Sequence, residues 1–166
     1  MDPMEKAAEN LDPLPQVEFA MLADAVQAVG GKLFVLGGGW DTLWVRQFPA
    51  RHPTLGIGIR LRIPWSYSEE KFLLAVDLVD EDGNSLFQGR KLAQPIRFKR
   101  PPGLPVGGDV GLVRAFTFSN LPLVNPGGYA FRILVNDEEV SRLRFWARTR
   151  RPATESGNAG EGEQAD

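Results

Sequence analysis

Apolar and polar residues alternate with a period of two through most of the middle of the chain, and that rhythm predicts strands. Ile57, Ile59, Leu61 and Ile63 alternate with Gly56, Gly58, Arg60 and Arg62, which places one set of side chains on a buried face and the other on a wet one. Phe72, Leu74, Val76 and Leu78 repeat the pattern against Lys71 and Asp77. Glu81-Asp82-Gly83-Asn84 then predicts a tight turn, since Gly and Asn tolerate positive φ, with Ser85 to Gly89 as a short returning partner. Phe116 and Phe118 mark a further strand that closes at Asn120. Tyr129, Phe131, Ile133 and Val135 mark another, which turns at Asn136-Asp137 and returns through Leu143 and Phe145. One stretch competes as a helix: Phe19, Leu22, Ala23, Val26 and Val29 also fit helical spacing, with Gly30 as a C-cap. The passage of Gly30-Gly31-Lys32 into the β-like run Leu33–Leu36 favours a strand as far as Asp24, then a turn or a single helical coil.

Glycine and proline punctuate these runs. Pro49, Pro53, Pro64, Pro95, Pro101, Pro102, Pro105, Pro122 and Pro126 are read as lying between strands, and short strands at this spacing predict a sandwich or a barrel. The expected fold is therefore all-β: a two-sheet antiparallel sandwich of about eight strands, immunoglobulin-like or C2-like, over residues 16–148. Residues 1–15 are expected to form a flexible N-terminal segment. Residues 149–166 are expected to be a disordered tail, because they lack the large apolar groups needed to offset ordering entropy. Leu92–Asp109 reads as one long loop interrupted at most by a short strand, Ile96 to Phe98; a connection that long is often functional or mobile.

Composition narrows the function classes. The chain has 166 residues with 43% hydrophobic content, enough for one domain with a single core. It has no cysteine, so thiolate metal sites, disulfides and cysteine nucleophiles are excluded. No apolar run reaches the ~18 residues of a membrane helix, and the acidic N-terminus does not read as a leader peptide. These features together lead us to expect a cytoplasmic protein. A net charge of −2 argues against a general nucleic-acid binder, whose affinity depends on phosphate neutralisation.

The string ADAVQAVGGKLFVLGGGWD, Ala23–Asp41, resembles the hallmark of a family of small uncharacterised bacterial proteins. In that family an opening strand leads through a turn and GGKL into a strand ending in glycines and an aromatic. PGGYAFRILVNDEEV, Pro126–Val140, is similar to the final hairpin of many immunoglobulin-like sandwiches, where Tyr129 would be a core or corner residue. The resemblance implies a fold and transfers no catalytic residue.

Candidate chemistry is sparse. Gly37-Gly38-Gly39-Trp40-Asp41-Thr42 lacks the spacing of a dinucleotide or phosphate loop and precedes a strand, so it reads as a structural corner. Asp80, Asp82 and Asn84 would fill the first three positions of a calcium loop. Ser85 and Lys91 stand where Gly and Glu are required, so the stretch reads as a hairpin tip and no metal ligand is assigned. His52 is the only histidine, is expected in a loop, and has no serine motif to serve. Asp24 and Asp41 each end an apolar run and are read as acceptors for turn N–H groups. Arg90, Lys91, Arg97, Lys99 and Arg100 form an acid-free basic window around Phe98, and Arg60, Arg62, Arg142 and Arg144 add pairs on strand faces that could merge into a basic surface. Trp65 and Tyr67 are read as an exposed aromatic edge.

The reading that follows is a non-catalytic binding or scaffolding module, with no catalytic residue and no cofactor. Its partner is expected to be a protein, with a homodimer through an edge strand as one form. Candidate contacts are Trp40, Asp41, Asp24, His52, Trp65, Arg97, Phe98, Lys99 and Arg100. A small-ligand or hydrolytic site at the Gly37–Asp41 corner is one alternative, and an anionic polymer or membrane headgroups on the arginine faces is another.

Overall fold

The computed structural model describes residues 13–67 and 71–150; most of the two tails expected from sequence lies outside the described residues. Nine strands, where about eight were expected, run in the order β1 (Gln16–Val29), β2 (Lys32–Gly38), β3 (Thr42–Val45), β4 (Ala50–Ile63), β5 (Lys71–Asp80), β6 (Leu92–Arg97), β7 (Val110–Leu123), β8 (Gly127–Val135) and β9 (Glu138–Thr149). No helix occurs among the described residues. The strands form a four-stranded sheet, β2-β1-β4-β7, and a five-stranded sheet, β3-β9-β8-β5-β6. Every pairing is antiparallel except one: β3 runs parallel to β9, with Thr42 opposite Trp146 and Val45 opposite Thr149.

The period-two runs do what alternation dictates. Leu55, Ile57, Ile59, Leu61 and Ile63 of β4 point inward and meet Leu74, Leu78, Phe131, Ile133 and Phe145 from the other sheet in one core. Phe131 stacks on Phe145 at 5.6 Å, and Phe118 leans on Phe131 at 5.1 Å, separations at which aromatic pairs attract beyond their burial. Leu14, just before β1, also packs on this core. Tyr129, near the start of β8, is buried, and its hydroxyl donates to the Asn125 carbonyl at 2.6 Å while accepting from the Asn125 N–H at 3.2 Å. The core-or-corner reading of Tyr129 is thus met on both counts.

Several local expectations are corrected. β1 does not stop at Asp24 for a turn or coil; it continues as strand to Val29. Its first half pairs with β4 as far as Ala23 opposite Gly56, and its second half pairs with β2. Gly30 and Gly31, at φ of 57° and 72°, close the β1–β2 hairpin as a two-residue type I′ turn, whose twist matches that of the strands. His52 lies in β4 and not in a loop. The long loop is shortened by β6, which pairs with β5 from Leu92 to Arg97. Ser85 to Gly89 forms no strand; only an isolated bridge, Val79 to Ser85, is present. Pro53, Pro95 and Pro122 sit inside β4, β6 and β7.

The sheet edges are unequal. β3 is four residues long, and β6 carries Pro95 and ends on Arg97. On β7, Gln94 Nε2 donates to the Ala115 carbonyl at 3.0 Å, and left-handed Asn120 and then Pro122 break the line of the strand. Brevity, proline, charge and covering groups are the usual guards of an edge. β2 opens on a cation, Lys32, but its remaining run Leu33–Gly38 carries neither proline nor charge.

Candidate interaction surface

The glycine corner separates the residues expected to meet there. Asp24 belongs to β1, and its carboxylate lies where a Cβ on Gly37 would sit, which is why that position, at φ of 61°, is glycine. Asp24 also acts electrostatically on His52. Burial beneath the neighbouring strands holds the His52 imidazole below its ordinary pKa, while the hydrogen bond with the Thr54 backbone and the Asp24 charge oppose that shift. Asp41 sits on the other sheet: its carbonyl accepts from Trp146 N–H of β9 at 2.8 Å, and its carboxylate from Thr42 Oγ1 at 3.0 Å. Trp40 turns its ring edge to Phe145 at 6.2 Å, and its buried Nε1 has no hydrogen-bond partner. Asp24 and His52 thus stay on the four-stranded sheet, in β1 and β4, while Trp40 and Asp41 are anchored on β9.

Residues from the basic window are drawn into a closure at one end of the sandwich. Arg100 Nη2 donates to the carbonyls of Pro64, Trp65 and Tyr67 at 3.3, 2.7 and 2.9 Å. Its guanidinium lies 4.8 Å from the Trp65 ring centre, within cation–π range. Tyr67 is buried and not on an exposed edge: it forms a cluster of three rings with Phe72 and Phe98, with Phe98 at 6.3 Å from Tyr67 and 6.2 Å from Phe72. Arg100, Phe98 and Trp65 thus tie two loops together. Arg97 and Lys99 remain exposed. Arg97 stands directly opposite Lys71 across the β5–β6 ladder, and both line a groove of about 570 Å³ with Leu73, Pro95 and Asn136.

The arginine faces do not merge. Arg60 and Arg62 are on the four-stranded sheet and Arg142 and Arg144 on the five-stranded one. Arg60 is paired with Glu18 at 2.6 Å and Arg62 with Asp109 at 3.5 Å. Arg132 and Arg142 oppose each other across β8 and β9, an arrangement that repels unless a counter-charge intervenes. Glu139 supplies it, accepting from Arg132 Nε and Arg142 Nε at 2.7 Å each and from Arg142 Nη2 at 3.1 Å. Those bonds, above all from Arg142, hold the Glu139 carboxyl at about 2. The calcium-like hairpin is likewise occupied by itself: Asp80 Oδ1 accepts from the N–H groups of Asp82 and Asn84, and its Oδ2 from Asn84 Nδ2. These bonds, led by those from Asn84, lower the Asp80 pKa.

The surface that sequence reasoning passed over is the β1–β2 hairpin. After Ala23, β1 leaves the edge of β4 and crosses its outer face. There Val26 and Leu33 cover Gly56 and Gly58: a Cβ on Gly56 would stand 3.0 Å from Val26 Cγ2 and from the Val26 nitrogen, and one on Gly58 3.3 Å from Leu33 Cδ1. The face with Val26 and Leu33 is thus turned down onto glycine. The opposite face carries Ala25, Val29, Phe34 and Leu36, the last two opposite Gln27 and Ala25. Val29, Phe34 and Leu36 are 58, 57 and 71% exposed. Apolar residues exposed on an open sheet edge are of the kind that can pair with another chain. The available signal was the unalternating run Leu33-Phe34-Val35-Leu36 after a Gly-Gly turn, which reads equally well as a buried strand.

A model of the family described as "Family of unknown function (DUF6941)" matches residues 18–148. No curated protein matches. Among solved structures, the Pseudomonas fluorescens alkylpurine DNA glycosylase AlkC, bound to DNA containing an abasic site analog, is similar at 15% identity and a TM-score of 0.36. The match covers 81% of this chain and 30% of that one.

Proposed function

The chain belongs to DUF6941, a family of unknown function, and from that premise we propose that it is a non-catalytic protein-binding module that works through the β1–β2 hairpin. One observation carries the reading: β2 is a sheet edge whose run Leu33–Gly38 carries neither charge nor proline, and Val29, Phe34 and Leu36 stand exposed on the hairpin it closes. Such an edge binds by adding a strand, with main-chain hydrogen bonds giving affinity and side-chain contacts giving selectivity. An immunoglobulin-like arrangement supports this role. The parallel pairing of β3 with the last strand, the sheet order, and the Tyr129 hydroxyl bound back to Asn125 all fit that architecture. The absence of cysteine supports a cytoplasmic setting, and no helix among the described residues is long and apolar enough to cross a membrane.

The test is affinity capture from the native host with the intact chain and with a Phe34→Lys, Leu36→Lys variant of matched melting temperature. Partners lost with the variant support the hairpin as the working surface. An unchanged set of partners overturns it. Lys71 facing Arg97 over an open groove favours a second reading, an anionic ligand, because like charges placed opposite each other are retained at a cost. Salt-sensitive retention on an anionic support, abolished by Lys71→Gln with Arg97→Gln, would favour it.

A further inference from the structure

We infer that the occupant of the β2 edge is a second copy of the same chain, paired antiparallel about Val35. The inference rests on the hairpin reading above and specifies its partner. The type I′ turn makes Val29 and Lys32 the closing pair of the β1–β2 hairpin, and in such a turn that pair exchanges hydrogen bonds. Hydrogen-bonded and non-bonded pairs alternate along an antiparallel ladder, so Lys32, Phe34 and Leu36 turn their backbone groups towards β1. Leu33 and Val35 turn theirs outward, to the open edge. Val35 is the midpoint of β2, Lys32–Gly38, so a twofold axis through it pairs the outward N–H and C=O of each copy with those of the other.

That register decides which side chains meet. Phe34 of each copy falls opposite Leu36 of the other, in the non-bonded positions where side chains approach most closely. These are the two most exposed large apolar residues of the strand, and both lie on the face turned away from Gly56 and Gly58. Charge agrees with the arrangement. Lys32 opens the strand, and the Asp24 carboxylate lies over Gly37 near its far end. Antiparallel pairing brings the cationic end of one copy to the acidic end of the other, and no like charges are placed opposite each other. The result is one continuous eight-stranded sheet across two copies, with an isologous interface.

The register makes the test specific. The full chain is expected to sediment as a dimer, at twice the chain mass, across a dilution series. Phe34→Glu alone and Leu36→Lys alone each place a charge against an apolar residue twice, and each variant is expected to be monomeric. Mixed together, they place the introduced carboxylate against the introduced ammonium once and Leu36 against Phe34 once, so a heterodimer is expected to return. Because the chain has no cysteine, Val35→Cys provides an independent readout. Residues opposed in a hydrogen-bonded pair have Cα atoms about 5.5 Å apart, so a short thiol-reactive cross-linker is expected to link the two chains. A monomeric wild type overturns self-pairing, as does a dimer that survives both single substitutions, or a Val35→Cys chain that stays unlinked. Captured partners lost with the hairpin variant from a monomeric chain would overturn the self-pairing alone; partners unaffected by it would overturn the hairpin reading itself.

Discussion

Glu139 shows how a single side chain converts an unfavourable contact into a neutral one. Arg132 and Arg142 are cross-strand neighbours, and the carboxylate between them accepts from both. Its pKa is held at about 2, below the value of an unfolded chain, so it contributes stability that is fully present above about pH 4.5. That contribution is lost as pH falls from there through about 2. Glu139→Gln is therefore expected to lower stability near neutral pH by about 1 kcal/mol or less, since the site is solvent-screened. Below pH 2 the difference from wild type should vanish, and urea melts at several pH values measure it. A deficit that persists unchanged at acid pH would show that packing, and not charge, is what Glu139 supplies. His52 follows the same sign by a different route: burial favours its neutral form, so its contribution is complete above about pH 6.5 and falls on acidification.

At the scale of elements, the β1–β2 hairpin depends on what lies beneath it. Gly56 and Gly58 leave room for Val26 and Leu33 on the outer face of β4. Gly56→Ala puts a methyl against Val26 backbone, which cannot yield as a flexible side chain would, and is expected to cost about 1–3 kcal/mol as an overpacking substitution. Hydrogen exchange should show faster exchange confined to β1 beyond Ala23 and to β2. Loss spread evenly over both sheets would mean that the hairpin is not separately seated. The same hairpin shows where sequence legibility ended. Strands β4, β5 and β8 were readable because large apolar residues facing the core recur at every second position, as at Ile57, Leu74 and Phe131, although Ala75, Val79 and Leu134 on the reverse faces are buried too. β1 was misread beyond Asp24 because it serves two surfaces in succession: Leu22 enters the core, whereas Val26 is buried on the outside of the sheet. That change of surface yields spacing indistinguishable from a helical stripe. Arg100 and Phe98 were read as a surface because composition shows their charge and ring, but not the Pro64, Trp65 and Tyr67 carbonyls and the Tyr67 and Phe72 rings that absorb them.

For the whole molecule, the decisive pairings join distant parts of the chain. β3 meets β9 and β4 meets β7, so loop-closure entropy must be met before either contact stabilises anything. Folding is expected on the scale of about milliseconds to seconds, as for other sandwiches dominated by non-local pairing. Stopped-flow refolding measures it, and a microsecond phase carrying the full amplitude would contradict the prediction.

The inequality of the four edges also sets how far assembly can go. Three directions of growth end in a four-residue strand, a proline with a cation, or a carbonyl already filled by Gln94. A copy joined through β2 spends the single open direction on each molecule and presents only terminated ones to the surroundings. Association by this route stops at two, so an exposed apolar strand that could have seeded a filament becomes a device for counting.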